Sequence, residues 1–562
     1  MVNLTQSLAT KGVVFLGAGL ISLCASAAKP IVHDAEYYVS EKQNGERWAE
    51  EDKDIDLRLE EFRKKNGGKP PNVFYILIDD IGFGDLGSKT LNMIRGYETP
   101  SINKVARDGM RLARMYTEPS CTPTRVAFMT GRQPHRNGMG NTAVDISGFG
   151  LAAEEVTLAE VLSEKGYNTS HVGKWHMGDI KEAWPTMQGF DYAVFPIHQQ
   201  GQLTIYHDDG ADEEVSVGIG DNNYDGRYTM DGWLRTDASA MATGVEGTRG
   251  KNVREVEMAP GERWTEAKYH EMNERYQRQA MEQLRSLAKQ DEPFFLQYWP
   301  LYPLTGPRTT TDEYTTPNGG IYVEKMKLVD QWVGELMDEM DKLGVADNTL
   351  VIIMGDNGHF TKYSTESGYS PMIFQGGKGS TKEGGVRVDA FVRWPGMVEA
   401  DSVAGDIVHV SDLFTTIARL GDGMDEIPRD RVIDGLDQTS LLLNGDTYSR
   451  RDYVFLYNIN TLEAVVKEQY KLDLSSGKEN AILAKFYDLF RDTREEWPVS
   501  TEIGAWGGAK FVRMVMRHDK RKEKYPDSGP ATGMPYAGID NLRPESKAAV
   551  EEFLFMMKTP GM

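Results

Sequence analysis

Residues 73–78 read Val-Phe-Tyr-Ile-Leu-Ile, six apolar or aromatic side chains with no polar residue between them. A strand wetted on one face alternates apolar and polar residues, so an unbroken run fits a strand covered on both faces. Pro70-Pro71 precedes the run, and comparable segments recur at 294–298 and 350–354, with a strand-like segment at 168–172. Stretches with helical apolar spacing lie at 101–114, 158–165, 269–288 and 322–343. Strands alternating with helices predict an α/β fold: a large, mainly parallel sheet covered by helices on both faces. Beyond about residue 450 the pattern shortens to DYVFLY, EAVVKEQYKLDL and KFYDLF. These runs predict a smaller C-terminal antiparallel sheet, closed by a helix near 546–558.

The same reading divides the chain. After Lys11, residues 12–27 are uncharged (GVVFLGAGLISLCASA) and end in Ala25-Ser26-Ala27, the pattern of a cleaved export signal over 1–27. Residues 28–70 form a charged N-terminal arm, 71–450 the main domain and 451–562 a C-terminal α+β subdomain. A Gly-, Asp- and Asn-rich stretch at 199–261 reads as an insertion that shapes a binding site. The expected location is periplasmic or secreted, with no membrane association once the signal is removed. The formal charge of −22 repels nucleic acid and anionic lipid, so neither is an expected partner. An anionic substrate then needs a local cationic pocket. The chain has two cysteines, Cys24 and Cys121. Signal cleavage leaves Cys121 alone, unable to form an internal disulfide, and therefore either inert or chemically employed.

Five constellations carry the candidate chemistry. Asp79-Asp80 directly follows the 73–78 run, and Asp356-Asn357 follows the 350–354 run. Ligands in open α/β sheets gather beyond the carboxyl ends of strands, where two such pairs would converge on a hard cation. Taken singly, each pair reads more often as a turn or a helix cap; only together, after two such apolar strands, do the two readings stand level. The third is Cys121-Thr122-Pro123-Thr124-Arg125: Pro123 suits the first turn of a helix and places Cys121 just before its N-terminus. Free backbone N–H groups there attract an anion, and Arg125 adds a fixed cation. In Gly173-Lys174-Trp175-His176, Lys174 and His176 are two apart, hence on one side of an extended segment. Lys174 offers a point charge and His176 a proton acceptor near neutral pH. The last is Gly376-Gly377-Lys378-Gly379 with Glu383-Gly384-Gly385, where glycines let backbone and Lys378 approach a ligand.

With these motifs in order, the chain resembles the formylglycine-dependent sulfatases of the alkaline-phosphatase-like superfamily. The signature Cys-x-Pro-x-Arg followed by Thr-Gly-Arg stands here as CTPTRVAFMTGR, flanked by PNVFYILIDDIGFGDLG, GKWHMGD, DNG and GGKGSTKEGGVRV. The likeness covers roughly residues 71–500. It implies that Cys121 is oxidised to formylglycine by a separate maturation enzyme and hydrated to a geminal diol, which Arg125 stabilises. It implies that Asp79, Asp80, Asp356 and Asn357 hold a divalent ion, Ca²⁺ or alternatively Mg²⁺. Lys174 and Lys378 would bind sulfate oxygens, and His176 would handle the diol proton. The expected activity is hydrolysis of small sulfate esters, as in arylsulfatases. Two readings stay open beside it: a phosphonate or phosphate ester hydrolase of the same superfamily, and a non-catalytic, exported sulfate- or glycan-binding protein. One departure stands out. Where the family carries a histidine that protonates the leaving group, this chain has Leu301. Lys378, His198, His207 and His359 are the candidate substitutes.

Overall fold

The run at 73–78 becomes the strand Asn72–Ile78, buried along its whole length. Its residues leave alternately to two cores. Val73, Tyr75 and Leu77 join one, and Phe74, Ile76 and Ile78 join the other, as a period of two requires. The computed structural model describes residues 29–142, 148–196, 244–249, 251–256, 266–303, 320–360, 373–475, 484–499 and 501–533. The export signal, most of the 199–261 segment, His198, His207 and the helix expected at 546–558 lie outside the described residues.

Asn72–Ile78 sits in the middle of an eleven-stranded sheet among the described residues. Phe294–Trp299 and Thr349–Gly355 flank it in parallel, and Asn168–Gly173 and Tyr192–Pro196 continue the parallel set. Antiparallel strands close the two edges. The predicted parallel sheet is therefore present, together with helices on both faces. The helices Cys121–Thr130 and Val410–Leu420 cover one face; Glu266–Leu287 and Gly320–Leu343 cover the other. Phe128 of the Cys121 helix packs its ring 4.2 Å from Tyr75 and is fully buried. Replacing Phe128 by alanine is expected to cost ~3–5 kcal/mol, read as a lower denaturant midpoint.

Two expectations change. The helix expected at 101–114 stops at Arg107, and Met110–Tyr116 is a strand. A Cβ at Gly109 would lie 2.2 Å from the carbonyl oxygen of Val392, so the chain turns there against a neighbouring strand. Beyond it, Met110 and Leu112 point inward while Arg111 does not, a strand alternation concealed by an apolar count that also satisfies a helix. The end of the supposed insertion is also ordered: Gly244–Thr248 and Lys251–Val256 pair antiparallel beyond Tyr192–Pro196. The charged segment at 28–70, which reads as a short arm or a helix, takes the helical form over 31 residues, Ala35–Lys65, and buries Trp48, Ile55 and Leu59.

The C-terminal part forms the expected antiparallel sheet, Tyr453–Asn458, Thr461–Lys467, Tyr470–Asp473 and Lys485–Asp488. The helix Thr501–Lys524, not foreseen, packs Phe511 and Met514 on it. Residues from Ile31 onward make one compact unit. Buried polar contacts help bind it: Asp34 at the head of the first helix meets His518 of the helix Thr501–Lys524 at 2.8 Å and Arg136 at 3.2 Å. No helix among the described residues is long and apolar enough to cross a membrane.

Candidate active site

Strand register assembles the acidic half of the site. Ile78 pairs with Gly355, so Asp79-Asp80 and Asp356-Asn357 leave two adjacent parallel strands side by side. The two pairs interlock: the Asp80 N–H donates to Asp356 Oδ1 at 3.0 Å, and Asn357 Nδ2 donates to Asp80 Oδ1 at 2.8 Å. Asp80 holds a left-handed φ of 53°, a strained conformation that persists where the surrounding contacts over-determine it. Behind it, a Cβ on Gly358 would fall 1.7 Å from the carbonyl oxygen of Gly384, so only glycine lets these two turns meet. The glycines at 384–385 thus allow close backbone-to-backbone packing against Gly358.

Cys121 opens the helix Cys121–Thr130 as its first residue, with Ser120 as the N-cap and Pro123 in the first turn. This is one position further into the helix than expected, and the side chain still lies at the positive end of the helix dipole. The thiol is fully buried. Its Sγ and one carboxylate oxygen each from Asp79 and Asp356 lie within 4.8 Å of one another. Arg125, one turn on, reaches across the same cluster. Its Nη2 donates to Asp79 Oδ1 at 2.7 Å and to Asp356 Oδ2 at 3.0 Å, while Nη1 donates to the Lys174 carbonyl at 2.9 Å. The indole of Trp299, at the end of the Phe294–Trp299 strand, lies 4.8 Å from the guanidinium carbon, a cation–π contact that residue spacing alone did not reveal.

The remaining cations arrive from two other segments. Lys174 Nζ donates to Asp79 Oδ1 at 2.6 Å, and Lys378 Nζ donates to both Asp80 oxygens at 2.7 and 2.9 Å. Lys174 and His176 do not share one side of an extended strand. The strand ends at Gly173, and His176 has a φ of 60°. A turn brings it to the Cys121 helix, where its carbonyl accepts from Thr122 Oγ1 at 2.9 Å.

Electrostatics follow from burial and these pairings. Desolvation alone would raise Asp79, but the Lys174 and Arg125 charges outweigh it and hold its carboxyl well below the usual range. Burial and the neighbouring Asp79 charge push Asp356 well above it. Burial, reinforced by Lys174, Arg125 and Lys378, pushes His176 well below its ordinary value and keeps the imidazole neutral. A divalent ion fits this donor set. Three buried carboxylates crowd together, and Asn357 Oδ1 is buried with no hydrogen-bond partner among the described residues, an oxygen donor left for a cation.

Leu301 is fully buried in an apolar cluster and takes no part in proton transfer. His359 pairs with Asp85 at 3.0 Å, and Lys378 is engaged by Asp80.

The central parallel sheet, with carboxylates, cations and a helix-initiating thiol at the carboxyl ends of its strands, defines an α/β enzyme with a centre suited to an anionic group. Comparison with known proteins narrows this further. Residues 71–424 match the Sulfatase family. The chain is 32% identical to mouse (Mus musculus) N-acetylgalactosamine-6-sulfatase over 494 residues, covering 80% of this chain and 86% of that protein. It is 33% identical to human (Homo sapiens) arylsulfatase A over 400 residues, covering 69% and 71% respectively. Among solved structures, the PsFucS1 sulfatase from Pseudoalteromonas sp. superposes with a TM-score of 0.70 at 26% identity, covering 86% of this chain and 96% of that one. The chain belongs to the sulfatase family and hydrolyses sulfate esters.

Proposed function

We propose that catalysis depends on formylglycine formed from Cys121 and on a divalent cation, Ca²⁺ in preference to Mg²⁺, held by Asp79, Asp80, Asp356 and Asn357. The observation that carries this reading is the buried thiol at a helix start, clustered with the Asp79 and Asp356 carboxylates. Oxidation of the thiol to an aldehyde, followed by hydration, gives one hydroxyl to attack sulfur and a second to lose a proton and expel sulfate. The cation, when bound, polarises the nucleophile and offsets charge on the sulfuryl oxygens. Arg125 orients the modified side chain. Lys174 and Lys378 take sulfate oxygens, and neutral His176 accepts the proton that releases sulfate. A thiol or a single hydroxyl lacks the second oxygen and would remain sulfated.

The substrate is a small sulfate ester, and the chain is exported by its N-terminal signal to the periplasm or medium after modification by a formylglycine-generating enzyme. Relatives named for N-acetylgalactosamine 6-sulfate and for steryl sulfate put sugar and aryl or alkyl esters in the same assay. A sulfate-release screen over those classes, using protein co-produced with the maturation enzyme, tests the reading. Faster turnover of an aryl phosphonate monoester than of the matching sulfate would instead favour phosphonate hydrolysis.

With Leu301 where a proton donor is expected, good leaving groups are favoured. For a series of aryl sulfates, log kcat/KM is expected to fall steeply as leaving-group pKa rises. A flat series would show that another group supplies the proton.

A further inference from the structure

Glu118 lies three residues before Cys121 and is almost fully buried, 1% exposed, as is His409. Its carboxylate Oε1 faces His409 Nε2 at 3.5 Å, and neither atom has a hydrogen-bond partner among the described residues. His409 Nδ1 accepts from the Ser411 N–H and contacts Ser411 Oγ at 2.8 Å, which assigns the ring proton to Nε2, the side facing Glu118. The segment around Glu118 is a junction. Thr117 N–H donates to the Val386 carbonyl at 2.7 Å, and the Pro119 carbonyl accepts from Gly379 N–H at 2.6 Å, beside Lys378. Thr124 of the Cys121 helix closes on the Glu118 backbone from both sides: its Oγ1 accepts from the Glu118 N–H and donates to the Glu118 carbonyl.

We propose that Glu118 is a positioning residue: by packing its carboxyl against His409, it fixes the turn that both starts the Cys121 helix and anchors the Lys378 loop. This rests on the roles given above to Cys121 and Lys378. The pair works as two neutral groups. Burial, with a smaller contribution from the Asp434 charge, pushes the Glu118 carboxyl up to about 8. Burial and Arg451 lower His409 to about 3, against the opposing pull of Asp412 and Asp434. Those charges are themselves paired, Arg451 with Asp412 and Arg136 with Asp434, so among the described residues no spare cation faces Glu118. Ionising it would place an uncompensated charge behind the nucleophile.

The sign follows directly. A carboxyl with a raised folded pKa binds more protons folded than unfolded, so it erodes stability as pH rises from about 4.5 to about 8, with no further loss above that. Because the active arrangement needs the neutral form, kcat falls above pH 8, roughly tenfold per unit. Glu118→Gln keeps a neutral amide at every pH. It is expected to hold kcat within about twofold at pH 7, to lose this alkaline fall, and to gain melting temperature over the parent increasingly between pH 5 and 8. Glu118→Ala is expected to lower kcat about tenfold at pH 7. Rates are normalised to the formylglycine content of each preparation, measured by mass. An alkaline limb unchanged in Glu118→Gln, or a parental kcat in Glu118→Ala, overturns the proposal. Activity surviving in Cys121→Ala would instead overturn the reading of the nucleophile.

Discussion

Cys121→Ala is expected to reduce kcat for sulfate release by about 10⁴-fold or more, the scale on which loss of a covalent nucleophile registers in hydrolases. The fold should survive the change. The Cys121 side chain is small, the helix it starts is held by Val126, Ala127, Phe128 and Met129 in the main core, and alanine is a good helix former. Circular dichroism and melting temperature should therefore stay near those of the parent while turnover disappears. Cys121→Ser separates two roles that alanine removes together. A serine hydroxyl can still attack sulfur but has no second hydroxyl with which to expel sulfate, so a sulfated Ser peptide should accumulate and be visible by mass. The parent protein, produced with a maturation enzyme, should carry an aldehyde rather than a thiol at this position. An unmodified thiol in fully active protein would refute the formylglycine reading.

The second large effect is expected from the cation site. Asp356→Asn keeps the shape of the side chain while removing a charge that Arg125 and the proposed ion share. It should lower kcat/KM by about 10³-fold, a transition-state loss of roughly 4 kcal/mol. Chelation of the parent should abolish turnover and lower its melting temperature, with both restored by Ca²⁺. A free ion at 100 times its Kd stabilises the folded state by ~2.7 kcal/mol. In Asp356→Asn the melting temperature should respond weakly or not at all to added Ca²⁺, an outcome that does not depend on activity. Equal responses in parent and variant would show that the ion binds elsewhere. The companion change at Arg125 is less informative. Removing its guanidinium leaves Asp79 and Asp356 facing each other in a buried site, so stability and catalysis would fall together.

The two effects arise from one arrangement. Two adjacent strand ends present oxygens, a helix start presents the sulfur, and three cations occupy the same small volume. In a chain of net charge −22, the three cations are matched by Asp79, Asp80 and Asp356, and the proposed divalent ion would tip that cluster to the local positive charge an anionic ester requires.

Much of this arrangement is legible before any tertiary structure. The run at 73–78 reports its own burial on both faces, because side-chain direction alternates with period two and no polar residue interrupts it. The sequel to each apolar run, Asp79-Asp80 and Asp356-Asn357, reports a strand end, and strand ends in such sheets lie together. Pro123 reports the start of the Cys121 helix to within one residue. These are local signals, set by a few neighbouring side chains and backbone geometry.

What the chain does across long separations is another matter. Arg125 and Asp356 are 231 residues apart, and only the register of Ile78 on Gly355 brings the second carboxylate within reach of the guanidinium. Trp299 over Arg125, Glu118 against His409 and Asp34 against His518 leave no local trace, because each partner taken alone reads as ordinary core or surface. Met110–Tyr116 looks helical in sequence for the same reason: its apolar count satisfies a helix, and the nearby Val392 carbonyl that turns the chain at Gly109 belongs to a distant strand. The sequence by itself determined the layered α/β plan and the strand ends that carry Asp79-Asp80 and Asp356-Asn357, since periodicity and capping act over a few residues, while the roles proposed for those residues and for Cys121 came from the family resemblance. The tertiary structure decided the charge pairing, the protonation states of the buried acids and the path of the chain at 109 and 176, since these depend on contacts and desolvation that only packing creates.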